Sequence, residues 1–209
     1  MIMETKSRSI TAMVMLVFLH AGCYPQGPEY IEDLDVVITD YEPSYDFAAK
    51  GTYALPNRIV KITGDVIEGD EPQFIPDVTA TAILTQIKKN MDALGWQQVA
   101  YNSTAPAPDV LLTPAAWETT TVLYYYDYWY WWYGGYYPYW GWGYPSYSTY
   151  TTGTLLMRMV DPKVVASDGL PVIQWVGAIN GILTYSYDAT RINTAIDRTF
   201  AQSPYLKTN

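Results

Sequence analysis

Thiol and imidazole, the side chains behind most nucleophilic and metal-binding sites, are scarce in this 209-residue chain. There is one cysteine, Cys23, and one histidine, His20, both near the N-terminus. A lone thiol makes no intramolecular disulfide and no cysteine-based zinc cluster. If the chain is cut immediately before Cys23, His20 is lost and the mature protein has no imidazole. A Ser-His-Asp triad, a Cys-His dyad and histidine-ligated zinc or iron are then excluded. Carboxylates are plentiful, so chance pairs are easy to nominate and no catalytic residue is assigned. Asp65, Glu68, Asp70 and Glu71 crowd one short stretch among glycine and proline, but they lack the Asp-x-Asp-x-Asp-Gly spacing of a calcium loop and read as a solvated loop. No metal site is expected. Gly-x-Gly-x-x-Gly turns and phosphate loops are absent, so no nucleotide cofactor is expected either.

The other concentration of chemistry is aromatic. Sixteen of the twenty-four residues from Tyr124 to Tyr147 are tyrosine or tryptophan, including Trp129, Trp131, Trp132, Trp140 and Trp142. The segment lacks the aliphatic run of a membrane span, and Gly134, Gly135, Pro138, Gly141, Gly143 and Pro145 break a long helix. It is expected to form a projecting loop or hairpin, its flanks Val122–Trp132 and Tyr147–Met159 pairing. Rings with polar tips suit a membrane interface, the faces of envelope sugars or a protein contact, and the five tryptophans are the candidate binding residues. The plain alternative is a low-complexity insertion tolerated in a loop, its rings partly covering the domain's own surface.

Lys6 and Arg8 precede an apolar run, Ile10–Leu19, that has the length of a signal-peptide core and is too short to span a bilayer. The run ends in Leu19-His20-Ala21-Gly22-Cys23, which resembles the lipobox of bacterial lipoproteins, although His20 stands where a large aliphatic residue is usual. The resemblance implies cleavage before Cys23 and acylation of its thiol by palmitate-type chains, with each buried methylene contributing about 0.8 kcal/mol to anchoring. Residues 1–22 are then the signal peptide and 23–33 a lipidated tether. Resemblance to lipoproteins without aspartate after the cysteine implies the outer membrane, with either leaflet open. The alternative is a soluble secreted protein with an unmodified cysteine.

Removing residues 1–22 leaves ten basic against twenty acidic residues, so nucleic acid and anionic lipid headgroups are disfavoured as partners. A covalent or hydrophobic attachment would have to hold such a chain at a membrane.

Residues 34–209 are read as one domain. β-branched and partly alternating runs predict strands over Leu34–Asp40, Thr52–Leu55, Arg58–Thr63, Asp109–Thr113, Gly153–Val160, Val172–Ala178 and Ile182–Tyr187. Ala80, Ile83, Leu84, Ile87, Met91 and Leu94 share one stripe of a helix from Pro76-Asp77 to Leu94, ended by Gly95, with Trp96 folding back on its last turn. Asp188 caps a second helix whose inner face is Ile192, Ala195, Ile196, Thr199 and Phe200. The expected fold class is α+β, a mixed, mainly antiparallel sheet packed with two helices.

Thr39-Asp40-Tyr41-Glu42-Pro43-Ser44-Tyr45-Asp46-Phe47 and Thr52-Tyr53-Ala54-Leu55-Pro56 resemble the opening of the bacterial lipoprotein domain of unknown function 4136. Pro108-Asp109-Val110, Gly153-Thr154-Leu155, Asp161-Pro162, Trp175-Val176-Gly177 and the closing helix before Ser203-Pro204 occur in the family's order. The resemblance implies a single-domain lipoprotein and transfers no catalytic residue or ligand. Asp, Pro and Ser in the first motif are turn formers, and Tyr41, Tyr45 and Phe47 are expected to pack back on the sheet. Two functions are compatible with these readings. One is a noncatalytic envelope module, anchored through Cys23, that binds an envelope protein or glycan; the other is a glycan hydrolase using two carboxylates with the aromatic segment as substrate platform.

Overall fold

The computed structural model describes residues 36–63, 73–100, 107–118, 153–165, 171–184 and 188–209. Contacts divide the chain between Asp33 and Leu34, and all described residues belong to the second unit. Cys23 and the segment 124–147 lie outside the described residues.

Seven strands form one sheet: β1 (Val37–Tyr41), β2 (Thr52–Ala54), β3 (Val60–Ile62), β4 (Gln97–Gln98), β5 (Val110–Trp117), β6 (Thr154–Val165) and β7 (Pro171–Ile179). Their order is β1-β7-β6-β5-β2-β4, with β3 also on β5. The β1/β7, β7/β6 and β6/β5 pairs are antiparallel, while β5/β2, β5/β3 and β2/β4 are parallel. The antiparallel pairs are the long ones, five to seven positions each against two or three in the parallel pairs, so the sheet is mixed and mostly antiparallel, as the α+β reading requires. All eight residues of β5 are buried, the pattern of a central strand covered on both faces. Pro114 is tolerated there because β2 pairs with β5 as far as Leu111 and β3 resumes at Ala115, leaving the proline opposite the gap.

Helix α1 (Asp77–Ala93) buries Ala80, Ile83, Leu84, Ile87 and Met91 of the stripe read from the sequence, while Leu94, expected as its last member, stands just past the helix and is half-buried. Gly95 ends it at φ +93°, and Trp96 folds back with its indole N–H donating to the Leu206 carbonyl at 2.7 Å. Helix α2 (Ala189–Ala201) buries Ile192, Ala195, Ile196, Thr199 and Phe200. Gln86 and Asn90 of α1 both donate to the Asp197 carboxylate of α2. The two helices and the turn Pro204–Leu206 share a core with Tyr53, Leu112, Leu155, Met157, Trp175 and Ile179 on one face of the sheet. On the other face Val60, Ile62, Ala115, Trp117, Leu156, Val160, Val176 and Ala178 form a second buried cluster.

The Asp188 carboxylate accepts from the Thr190 and Arg191 N–H groups, at 2.8 and 3.2 Å. Asp188→Ala is expected to lower the unfolding free energy by about 1 kcal/mol, read by urea denaturation.

Four elements depart from expectation. Strands β5 and β6 run farther: β5 reaches Trp117 over seven positions paired with β6, and β6 reaches Val165, where it pairs with Pro171 of β7. The strand expected over Ile182–Tyr187 is not formed where it is described: residues 181–184 make a turn, with Gly181 at φ +76° and Thr184 N–H donating to the Gly181 carbonyl. Asn180-Gly181 is a turn dipeptide, and it outweighs the β-branched character of Ile182 and Thr184. Strand β4 was not foreseen, since Gln97-Gln98 carries no β pattern; Gln97 N–H and Val99 N–H simply find the Gly51 and Tyr53 carbonyls.

Candidate functional site

The residues first singled out for function, Cys23, Trp129, Trp131, Trp132, Trp140 and Trp142, lie outside the described residues. Within the described fold stands a polar constellation that the sequence did not assemble. It joins Tyr45, Lys50, Thr52, Asp109, Asp161 and Lys163.

The turn Glu42–Asp46 brings in Tyr45. Glu42 accepts from the Ser44 hydroxyl at 2.6 Å and from its N–H at 3.1 Å, which holds the Glu42 carboxyl below the usual range. Asp46 accepts from Ala49 N–H and starts a 3-10 turn over Phe47–Ala49 that ends at Lys50. Phe47 is buried and meets the Tyr45 ring edge-on at 4.8 Å, while Tyr41 stacks on Tyr205 at 3.7 Å. Phe47 and Tyr45 pack against the core as expected, whereas Tyr41 rests on Tyr205 and stays 39% exposed.

Asp161 comes from the far part of β6, where the ladder to β7 shifts register between Met159 and Val165. Its side chain is 1% exposed. Oδ2 accepts from Lys50 Nζ at 2.8 Å and from the Tyr45 hydroxyl at 2.9 Å, and Oδ1 accepts from Lys163 N–H at 2.8 Å. Lys50 Nζ also lies 5.0 Å from the Tyr45 ring centre, a cation–π contact. Just ahead of β5, Asp109 Oδ2 accepts from Gly51 N–H, Thr52 N–H and the Thr52 hydroxyl at 3.1, 3.0 and 2.8 Å. Asp109 N–H returns a bond to Thr52 Oγ1 at 3.0 Å, and Lys163 Nζ stands 3.8 Å from its Oδ1.

This geometry sets the electrostatics. Burial alone would raise the Asp109 pKa, but hydrogen bonds from the Thr52 side chain and the Gly51 and Thr52 backbone, with the charge of Lys163, hold it below the usual carboxylate value. Burial, the hydrogen bond to Asp161 and the negative charges of Asp161 and Asp109 push the Tyr45 phenol far above its ordinary range. Each carboxylate is already engaged by several donors. A general acid needs a raised pKa and a group free to give its proton to substrate, and Asp109 is shifted the other way. The arrangement is a clasp: it ties the Tyr45–Thr52 segment to the start of β5 and to the second half of β6.

Tyr45 makes stability depend on pH. Its folded pKa lies above the unfolded value near 10, so its contribution is complete below about pH 10 and is lost as pH rises above that. Tyr45→Phe is expected to be less stable than the parent at pH 7 and to lose less stability between about pH 9 and 11, measured by urea midpoints across that range.

The pieces of this clasp stood in the sequence as Tyr45, Pro108-Asp109 and Asp161-Pro162, each part of a family-like motif. Lys50 carried no signal. It stands 111 residues from Asp161, and no local pattern encodes that separation. Among the described residues no group of three or more His, Cys, Asp or Glu is arranged to hold a metal ion, and no helix is long and apolar enough to cross a membrane.

The family model for a domain of unknown function, DUF4136, matches residues 37–205. A DUF4136 family protein from Bacteroides thetaiotaomicron, known from a crystal structure, is similar at 26% identity with a TM-score of 0.58, over 83% of this chain and 97% of that one. A PelC dodecamer from Paraburkholderia phytofirmans matches at 12% identity with a TM-score of 0.39, over 83% and 98% of the two chains. No curated protein matches.

Proposed function

Because this chain belongs to the DUF4136 family, whose fold it shares, we propose that it is a lipid-anchored envelope lipoprotein acting as a noncatalytic binding or structural module. The observation that carries this reading is the placement of the chain's only cysteine directly after Ala21-Gly22, at the end of an apolar run preceded by Lys6 and Arg8. The engaged state of Asp109 and Asp161 supports the noncatalytic part. Outer-membrane attachment through acyl chains on Cys23 is consistent with a mature chain too acidic to be held by anionic headgroups. Trp129, Trp131, Trp132, Trp140 and Trp142 are the proposed contact residues for an envelope protein or glycan.

Expression in a bacterium competent for lipoprotein processing, followed by intact mass and membrane fractionation, tests the address. The expected product begins at Cys23, carries acyl mass and sediments with membranes, and Cys23→Ser releases it to the soluble fraction. A soluble, unacylated native chain overturns the reading. Turnover of a defined glycan, abolished by substituting one carboxylate pair, would overturn the noncatalytic assignment.

A further inference from the structure

The two edges of the sheet are built differently. Strand β4 ends one of them with two exposed glutamines, a short polar edge of the kind that resists adding another strand. Strand β1 ends the other with five residues, no Lys, no Pro and no register shift against β7. With Val36 just ahead of it, this edge carries Val36, Ile38 and Tyr41, which are 52%, 37% and 39% exposed. They are three of the five large exposed hydrophobics among the described residues.

Backbone direction at this edge is fixed by two contacts. Asn180 N–H donates to the Val36 carbonyl at 3.0 Å, and Glu42 N–H donates to the Gln174 carbonyl at 2.9 Å. Hydrogen-bonding direction alternates along an antiparallel strand, so even-numbered residues face β7, and Val37, Thr39 and Tyr41 turn N–H and C=O outward. Tyr41 N–H is already taken by Asp40 Oδ1 at 2.9 Å. Val37 and Thr39 are left as the ladder on this side, where no described strand lies.

We propose that a second copy of this chain pairs at this edge, β1 against β1, antiparallel about a two-fold axis at Ile38. Self-complementarity selects both occupant and register. With Ile38 opposite its own copy, Val37 exchanges both backbone hydrogen bonds with the partner's Thr39, and Thr39 does so with the partner's Val37. The two Ile38 side chains meet as a non-hydrogen-bonded pair, with Cα atoms about 4.5 Å apart. They lie on the face that holds Val176 and Ala178, so the apolar second faces of the two sheets become continuous. Asp40 lies across from the partner's Val36, and no two carboxylates oppose each other. A register centred on Thr39 would instead need Tyr41 N–H, which Asp40 holds, and would set Asp40 against the partner's Ile38.

The test uses the lipid-free mature chain with Cys23→Ser, so its outcome is independent of the anchoring reading. That chain has no other cysteine. Ile38→Cys places two thiols within disulfide range across the two-fold axis and is expected to oxidise to a covalent dimer, whereas Asp40→Cys is not. Thr39→Pro removes one outward N–H while leaving the bonds to β7, and is expected to weaken self-association by about tenfold or more in sedimentation velocity. Without any edge substitution, the Val37 and Thr39 amides are expected to be protected from hydrogen exchange in concentrated samples and to exchange fast on dilution. A chain that stays monomeric at its highest soluble concentration overturns the proposal. So does a dimer that Thr39→Pro leaves intact, or an Ile38→Cys variant that forms no disulfide.

Discussion

Replacing Lys50 with methionine is expected to lower the unfolding free energy by about 3 kcal/mol, the lower end of what breaking a buried ion pair costs. Lys50 is 24% exposed and Asp161 is 1% exposed, so the substitution strands the acid rather than the base. Its carboxylate would keep the Tyr45 hydroxyl and the Lys163 N–H but no adjacent cation on Oδ2. Removing both charges, as Lys50→Met with Asp161→Asn, is expected to cost less than Lys50→Met alone, because the uncompensated charge disappears with its partner. Urea unfolding of the parent, both single variants and the double variant measures the coupling directly. A loss below about 0.5 kcal/mol for Lys50→Met would mean that water reaches Asp161 and that the pair behaves as a surface ion pair.

Trp175→Ala is expected to cost more, about 3–5 kcal/mol. The side chain is fully buried, its indole N–H donates to Ser203 Oγ at 2.9 Å, and its ring stacks with Phe200 at 5.5 Å. That geometry also explains Gly177. The indole lies over it, and a Cβ there would stand 2.7 Å from Trp175 Cη2 and 2.6 Å from Thr199 Cγ2. Gly177→Ala is therefore expected to cost about 1–3 kcal/mol by overpacking between β7 and α2. The two effects are coupled: once Trp175 is alanine, adding a methyl at 177 meets only Thr199, and its penalty is expected to shrink. Additive losses in the double variant would show that the ring does not rest on Gly177. The Trp175-Val176-Gly177 motif is thus a packing device in which a large ring and an absent side chain require each other.

Much of the fold was legible because its signals are local. The α1 stripe from Ala80 to Met91 and the Asp188-capped α2 depend on spacings of three and four and on one capping residue, all within a few turns. β1, β2, β3 and β7 were placed to within a few residues for the same reason. The misses are nonlocal or depend on competition between signals. Ile182–Tyr187 had strand composition, yet Asn180-Gly181 turned the chain first. Gln97-Gln98 had no strand composition, yet the adjacent β2 edge offered carbonyls.

The sequence by itself determined the α+β class, the two helices with their buried faces, and the membership that the ordered motifs announced. It also placed Cys23 and the tryptophans of the aromatic segment as the residues on which a function would be sought. Only the tertiary structure decided that Tyr45, Lys50, Asp109 and Asp161 meet in one clasp, that Trp175 lies over Gly177, and that β1 rather than β4 is the apolar edge. Periodicity and capping are properties of neighbouring residues, whereas a buried ion pair and a strand order exist only once segments more than a hundred residues apart have been brought together by the burial of the core.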